Sequence, residues 1–93
     1  MADIDVTTSE RADGYEFDVR VQEGTTETQH TVTLRQTDYD RLTGGRVSAD
    51  RLVTESFRFL LEREPKESIL RSFDLTVISR YFPEYEREIK RRL

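Results

Sequence analysis

The stretch YEFDVRVQEGTTETQHTVTLR, residues 15–35, decides the fold because it contains two alternating runs around a break rich in turn-forming residues. Residues 15–21 and 30–35 each alternate apolar and polar side chains, as half-buried strands do. The break EGTTET, residues 23–28, is short enough to join the two strands into an antiparallel hairpin. The side chains predicted to be buried are Tyr15, Phe17, Val19 and Val21 in the first strand and His30, Val32 and Leu34 in the second.

Downstream of the hairpin, the sequence predicts helices. The segment TDYDRLTGG, residues 37–45, permits a helix of about two turns that is capped by Thr37 or Asp38 and ends at a glycine. Ser48 is placed to cap the main helix, residues 48–64, which stops before Pro65. Its apolar residues occupy an arc of about 200°. Such a broad arc indicates either that this helix is the spine of the core or that part of it contacts another chain.

The two ends of the chain complete the predicted domain. Beyond Pro65 the sequence predicts short helical pieces over residues 66–73, over residues 75–82 with Asp74 as the cap, and over residues 84–93. For residues 75–82 the β-branched pair Val77 and Ile78 leaves a strand as the alternative. Residues 1–13 are predicted to be a flexible acidic arm, or an edge strand that uses Ile4 and Val6. We therefore expect a single α+β domain over residues 14–93. Its two- or three-stranded antiparallel sheet, built on the hairpin 15–21/30–35, packs on the main helix and the short C-terminal helices.

Composition limits the possible functions. The 93 residues include no cysteine and one histidine, which excludes disulfides, thiolate nucleophiles, thiolate metal sites and a histidine cluster for zinc. A net charge of −4 disfavours indiscriminate nucleic-acid binding. Because no segment has the apolar length of a membrane span or the pattern of a signal peptide, we expect a soluble, cytoplasmic protein.

The residues that can carry chemistry have simpler structural interpretations. His30 lies on the apolar face of a predicted strand, without a serine or cysteine nearby in sequence, so a structural or rim position is expected rather than a catalytic one. The carboxylates Asp38, Asp40 and those in residues 84–88 are interpreted as capping or solvated groups, because residues two apart on a helix do not face each other. The pair Gly44-Gly45 is interpreted as a helix stop. We therefore predict no enzyme, no cofactor and no metal site.

Two features near the C-terminus remain open at the sequence level. The basic end formed by Lys90, Arg91 and Arg92 is either solvated or in contact with a polyanion. The aromatic residues Tyr81, Phe82 and Tyr85 belong either to an interface or to the core. The low apolar content of the rest of the chain favours the core.

The segment HTVTLRQTDYDRLTGGRVSADRLVTESFRFLLER, residues 30–63, resembles a ribbon-helix-helix unit. In that family two chains pair their strands into a ribbon that enters the DNA major groove. The resemblance implies that Thr31, Thr33 and Arg35 would contact base edges and that Ser48 would place a backbone amide on a phosphate. It would make the protein a DNA-binding regulator or an antitoxin. Pairing of residues 30–35 with residues 15–21 of the same chain, rather than with a second copy, would favour a different function.

The run EREPKESILRSFDLTVISRYFPEYEREI, residues 62–89, is similar to the closing segment of a family of small uncharacterised prokaryotic proteins. The upstream run LTGGRVSADRLV is also similar to theirs. This resemblance brings no activity, but it implies that residues 30–90 form one unit.

Taken together, these patterns predict a non-catalytic interaction module. We expect a protein partner because Glu16, Asp18 and Arg20 give the hairpin an acidic face and the helices are rich in arginine. We expect a homodimer because a two-stranded sheet is marginal and the apolar arc of the main helix is broad. The alternative is a DNA-binding regulator of ribbon-helix-helix type.

Overall fold

The structure, a computed structural model, describes residues 2–93 and contains four strands and four α-helices within that range. The strands are β1 (Asp3–Arg11), β2 (Gly14–Glu23), β3 (Thr26–Arg35) and β4 (Ser72–Asp74). The helices are α1 (Gln36–Thr43), α2 (Ala49–Leu61), α3 (Ile78–Tyr81) and α4 (Tyr85–Arg92). Two short 3-10 turns, Lys66–Ser68 and Leu75–Val77, lie on either side of β4 in sequence.

The four strands form one mixed sheet in the order β1-β2-β3-β4. Neighbours β1, β2 and β3 are antiparallel, whereas β4 runs parallel to β3 and pairs with it from Thr31 opposite Ser72 to Thr33 opposite Asp74. The predicted α+β class is confirmed. The predicted number of strands, two or three, is wrong, because β4 adds a parallel edge strand from a segment predicted to be helical.

In place of the flexible acidic arm predicted over residues 1–13, residues 3–11 form the edge strand that was the second possibility. β1 pairs with β2 along its whole length, from Asp3 opposite Gln22 to Arg11 opposite Gly14. Ile4 and Val6 are half-buried and pack against the core. Their burial against the helices stabilises a strand whose own residues are mostly small and polar. Met1 lies outside the described residues.

One face of the sheet is apolar and covered, and the other is polar and exposed. Phe17, Val19 and Val21 of β2 and Val32 and Leu34 of β3 are fully buried, as the alternating pattern predicts. The strands are longer than the predicted 15–21 and 30–35, because the polar residues flanking each run continue the ladder. The helices therefore pack on one face only.

The helix α2 is the spine of the core. Leu52, Val53, Phe57, Phe59 and Leu60 are all buried within this chain, which uses most of the broad apolar arc. Ser48 caps the helix as predicted, since its hydroxyl accepts a hydrogen bond from the amide of Arg51 at 3.2 Å.

The short helix α1 ends as predicted but begins differently. Gly44 stops it in the left-handed conformation, with φ of 64°. At the other end, Gln36 is the first helical residue and follows Arg35, without a side-chain cap, so the predicted cap at Thr37 or Asp38 is wrong. Strand β3 runs directly into this helix, which leaves no room for a separate capping residue.

The C-terminal third differs from the prediction in one piece. Residues 66–73 were predicted to be helical, but only Lys66–Ser68 form a 3-10 turn, and the chain then extends into β4. Asp74 caps the next turn as predicted, since its carboxylate accepts a hydrogen bond from the amide of Thr76 at 3.1 Å. Tyr85 and Ile89, one helical turn apart on α4, are completely buried against the core.

Candidate functional site

An apolar groove lies between the end of α2, the extended chain after it and α3. Its volume is about 170 Å³, and its walls are mainly apolar side chains, with Glu64 as the one carboxylate. Those apolar side chains include Leu60, Ile69, Phe73, Val77, Ile78 and Phe82. Leu70 and Tyr81 lie on the rim and are the most exposed large hydrophobic side chains of the part of the chain that the structure describes, at 47% and 67%.

The groove floor is part of the core, which fixes its shape. Ile69 and Ile78 are buried, and Phe73 lies opposite Val32 in the sheet register. The ring of Phe73 lies 6.1 Å from that of Phe57 on α2, measured between centroids. Close packing therefore holds the floor rigid while the rim faces solvent.

The extended chain that forms one wall of the groove is anchored to the sheet through His30. The imidazole Nδ1 lies 2.7 Å from the carbonyl oxygen of Leu70, and Nε2 lies 2.9 Å from the hydroxyl of Thr28. A carbonyl oxygen only accepts, so Nδ1 carries the proton and Nε2 accepts the hydroxyl of Thr28. Burial lowers the pKa of His30, against the hydrogen bond to Leu70, and the positive charge of Arg71 lowers it further. A buried, neutral imidazole with both nitrogens bonded is structural, as predicted.

A second anchor is the nearly buried ammonium group of Lys66. Its Nζ donates to the hydroxyl of Thr26 at 2.6 Å and to the carboxylate of Glu67 at 2.7 Å. Glu23 lies 3.6 Å away and completes the pairing. The hydrogen bond to Glu67 raises the pKa of Lys66. These contacts fasten the 3-10 turn after α2 to the turn between β2 and β3.

The aromatic residues near the C-terminus divide between core and surface. Tyr85 is fully buried and Phe82 is half-buried against the core, as expected for a core stripe. Tyr81 is exposed, so the prediction that this residue belongs to the core is wrong. It lies at the end of the four-residue helix α3, where the chain turns toward α4 and leaves its side chain on the rim of the groove.

The structure places the DNA-contacting residues implied by the ribbon-helix-helix resemblance on two separate elements. Thr31, Thr33 and Arg35 alternate along β3 on the exposed face of the sheet, with Thr33 donating to Asp74 at 2.8 Å. Ser48 lies beyond α1, at the start of α2, and its side chain is engaged in capping. β3 is hydrogen-bonded to β2 on one side and to β4 on the other within the same chain.

The exposed sheet face carries more acidic than basic side chains. Asp5 and Glu27 flank Arg20, which lies 3.2 Å from the first carboxylate and 3.9 Å from the second. Strand alternation and register place on this face the acidic residues Asp3, Asp5, Glu16, Asp18, Glu27 and Asp74 and the basic residues Arg11, Arg20 and Arg35. A polyanion would meet a surface that is acidic on balance.

Two of the three basic residues at the C-terminus are engaged within the chain. Arg91 pairs with Glu88, and Arg92 donates to Glu62 at 2.6 Å while its guanidinium lies 5.7 Å from the centre of the Phe59 ring. Lys90 is exposed.

Within the described part of the chain, no three histidine, cysteine or carboxylate side chains come together as a metal site. Over the same residues, no helix is long and apolar enough to cross a membrane.

Sequence reasoning missed the groove because both rim residues were predicted to lie in helical or core segments. Leu70 was assigned to a predicted helical piece and Tyr81 to the core stripe. The one signal in the sequence is that each of them directly neighbours an arginine, Arg71 or Arg80, within a run of apolar residues and serines.

Comparison of this chain with models of known protein families, with curated proteins and with solved structures finds no match.

Proposed function

We propose that this chain is a non-catalytic protein-binding module and that the apolar groove is its binding surface. The exposure of Leu70 and Tyr81 at the rim of the groove carries this proposal, because the other large apolar side chains among residues 2–93 are at least partly buried. Exposed apolar groups that adjoin a preformed groove are typical of protein interfaces. Tyrosine is enriched there because it buries a large rigid surface at low cost in side-chain entropy.

The experiment is affinity capture with three forms of the chain: wild type, Tyr81→Arg and Gln22→Arg. Gln22 is exposed on the uncovered face of β2, which is paired on both sides, so it is a matched control for adding an arginine to the surface. We expect a set of proteins that wild type and Gln22→Arg retain and Tyr81→Arg loses. The proposal is rejected if the groove variant captures the same proteins as the control, provided that circular dichroism shows both variants to be folded.

We also propose the homodimer that the sequence predicts, with the outer edge of β1 as its contact. Most of the apolar arc of α2 is buried within the chain and is not free to form a dimer. The support for the dimer is instead the nine-residue strand β1, which pairs only with β2 in the described sheet. An unpaired edge is a template for another strand. Sedimentation velocity over a range of concentrations should show a dimer that Thr7→Lys weakens and Tyr81→Arg does not. A monomer at every concentration would reject the dimer.

The second candidate is a DNA-binding regulator of ribbon-helix-helix type, supported by Thr31, Thr33 and Arg35 side by side on an exposed strand face. It is the weaker proposal. A ribbon made from two β3 strands would have to displace β2 or β4 from each chain, and the surrounding face is acidic on balance. Selection of duplexes from a random DNA pool at low salt tests it. Enriched sites whose affinity falls about tenfold or more in Arg35→Ala would support it, and no enrichment would reject it.

A further inference from the structure

Glu64 is the one carboxylate in the apolar groove. It is half-buried, and among residues 2–93 no cation lies within ion-pair distance of it. The nearest basic residue in sequence, Arg63, is directed elsewhere. Its guanidinium pairs with Glu84 at 3.3 Å and lies 3.6 Å from the centre of the Phe59 ring. By contrast, Glu62 pairs with both Arg63 and Arg92.

An unpaired carboxylate limits what can occupy an apolar groove. The groove walls already remove part of the water around Glu64, and this burial raises its pKa. A purely apolar partner would remove more water and leave the charge unpaired, which is strongly unfavourable. A partner that places a positive charge beside the Glu64 carboxylate avoids this cost, so the groove would select cationic partners over purely apolar ones.

We propose that the groove binds an apolar segment of another protein that carries one lysine or arginine paired with Glu64. Apolar side chains of the segment contact the groove walls and the exposed Leu70 and Tyr81. The cation selects the partner and sets the register of the segment. This inference rests on the proposed function and adds the chemistry of the partner.

The experiment is a selection from a displayed library of random 12-residue peptides against four forms of the chain: wild type, Glu64→Gln, Glu64→Lys and Asp18→Asn. Asp18 is exposed on the uncovered face of β2, away from both the groove and the β1 edge, so it is the matched control for the loss of a carboxylate. Wild type and Asp18→Asn should enrich apolar peptides with lysine or arginine. Glu64→Gln should lose the preference for a cation, and Glu64→Lys should enrich aspartate or glutamate instead.

One enriched peptide, synthesised with its cation and with norleucine in that place, makes the test quantitative. The norleucine form should bind wild type about tenfold more weakly, a factor that corresponds to about 1.4 kcal/mol. It should bind Glu64→Gln at least as well as the cationic form does.

The outcomes separate this inference from the proposed function. If the selected peptides lose binding in Tyr81→Arg but show no preference for cations, the role of Glu64 is overturned and groove binding stands. If no selected peptide depends on Tyr81, both proposals are overturned. If the groove instead holds a second copy of the chain, sedimentation will show a dimer that Tyr81→Arg abolishes, and the inference is equally overturned.

Discussion

The hydroxyls of Ser56 on α2 and Tyr85 on α4 lie 2.6 Å apart in the core, and Ser56 also lies 2.7 Å from the carbonyl oxygen of Leu52. Tyr85 is fully buried, and this burial raises the pKa of its hydroxyl. Ser56 is thus the hydrogen-bond partner that allows the hydroxyl of Tyr85 to be buried inside an apolar core. In a chain with 34% apolar residues, this pair lets α4 contribute a large aromatic group to the core.

Removing the hydroxyl of Tyr85 or that of Ser56 should destabilise the protein, and the two losses should differ. Tyr85→Phe leaves Ser56 bonded to Leu52, so we expect a loss of about 1 kcal/mol in the free energy of unfolding. Ser56→Ala leaves the buried hydroxyl of Tyr85 without this partner, so we expect about 1–3 kcal/mol. Urea unfolding of the two variants measures the difference. Equal losses, or a larger loss in Tyr85→Phe, would contradict this account.

His30 should make stability depend on pH in a defined window. Burial lowers its pKa below the ordinary value of 6.5, so the unfolded chain takes up the proton first as the pH falls. The contribution of neutral His30 to stability is therefore complete above about pH 6.5. It is lost as the pH falls from there through the lower pKa that His30 has in the folded state. Urea unfolding between pH 7.5 and 5 should show this decline.

The control for His30 is His30→Gln, which removes the only histidine of the chain. Because Asp and Glu side chains titrate mainly below this window, we expect little pH dependence in the variant between pH 6.5 and 5. A decline of the same steepness in both proteins would assign the effect to other groups. An NMR titration of His30 above 6.5 would contradict the direction itself.

At the scale of elements, the start of β2 is packed too closely for any side chain. A Cβ on Gly14 would meet the carbonyl oxygen of Leu34 in steric overlap and would lie 2.8 Å from the Cα of Arg35. The backbone of β3 therefore passes directly over Gly14, at the point where the strand runs into α1. Glycine here permits close approach of two strands, which is a different role from that of Gly24 in the turn at the other end of β2.

Gly14→Ala should consequently cost about 1–3 kcal/mol of stability, since relief of the overlap requires the backbone to move. The matched substitution is Gly24→Asn, in the turn between β2 and β3, where φ is 59° and a Cβ would have no neighbour within 4 Å. Asparagine tolerates this left-handed conformation, so we expect a change below about 1 kcal/mol. Thermal unfolding of both variants tests the contrast, and a Gly14→Ala protein as stable as wild type would refute it.

The elements that were predicted correctly have local causes. Alternation over residues 15–21 and the cap at Ser48 need only neighbours in sequence, so β2 and α2 follow directly from them. β4 has no such signal. Ser72–Asp74 make a strand only because β3 offers an edge and Phe73 packs into the core, so tertiary contacts override the local pattern.

In the candidate site, too, features with a local cause could be predicted from the sequence and features that depend on tertiary contacts could not. The structural role of His30 could be predicted, because an apolar strand face already places it in the core. The groove could not, because the helical pattern of residues 66–73 hides the extended conformation that turns Leu70 outward. Tyr81 is likewise exposed by the turn after α3, which no periodicity marks. The unpaired state of Glu64 depends on where Arg63 points, and that is decided by the ring of Phe59 and by Glu84.

For the whole molecule, the C-terminal third completes the core. Phe59 of α2 packs against the rings of Phe82 and Tyr85, whose centroids lie 5.9 Å and 5.3 Å away. Arg41 on α1 also pairs with Glu86 on α4. These contacts join the helices α1, α2 and α4 into one packing unit.

A chain that ends at Glu64 should therefore not fold, although it retains the whole stretch that resembles a ribbon-helix-helix unit. It lacks the buried side chains Ile69, Leu75, Ile78, Tyr85 and Ile89, and so leaves the apolar surface of α2 uncovered. We expect no cooperative thermal transition by circular dichroism, in contrast to the full chain. A sharp transition in the truncated chain would show that the first two thirds form an independent domain.

The parallel pairing of β3 with β4 also sets an order of events during folding. β1, β2 and β3 meet through short turns, whereas residues 36–71 must be placed before β4 can reach the far edge of β3. Closing a long loop is slower than closing a hairpin. The amide of Thr31, which donates to the carbonyl of Arg71 at 2.8 Å, thus reports the last strand to dock. In pulsed hydrogen exchange during refolding, it should gain protection later than the amides bonded between β2 and β3.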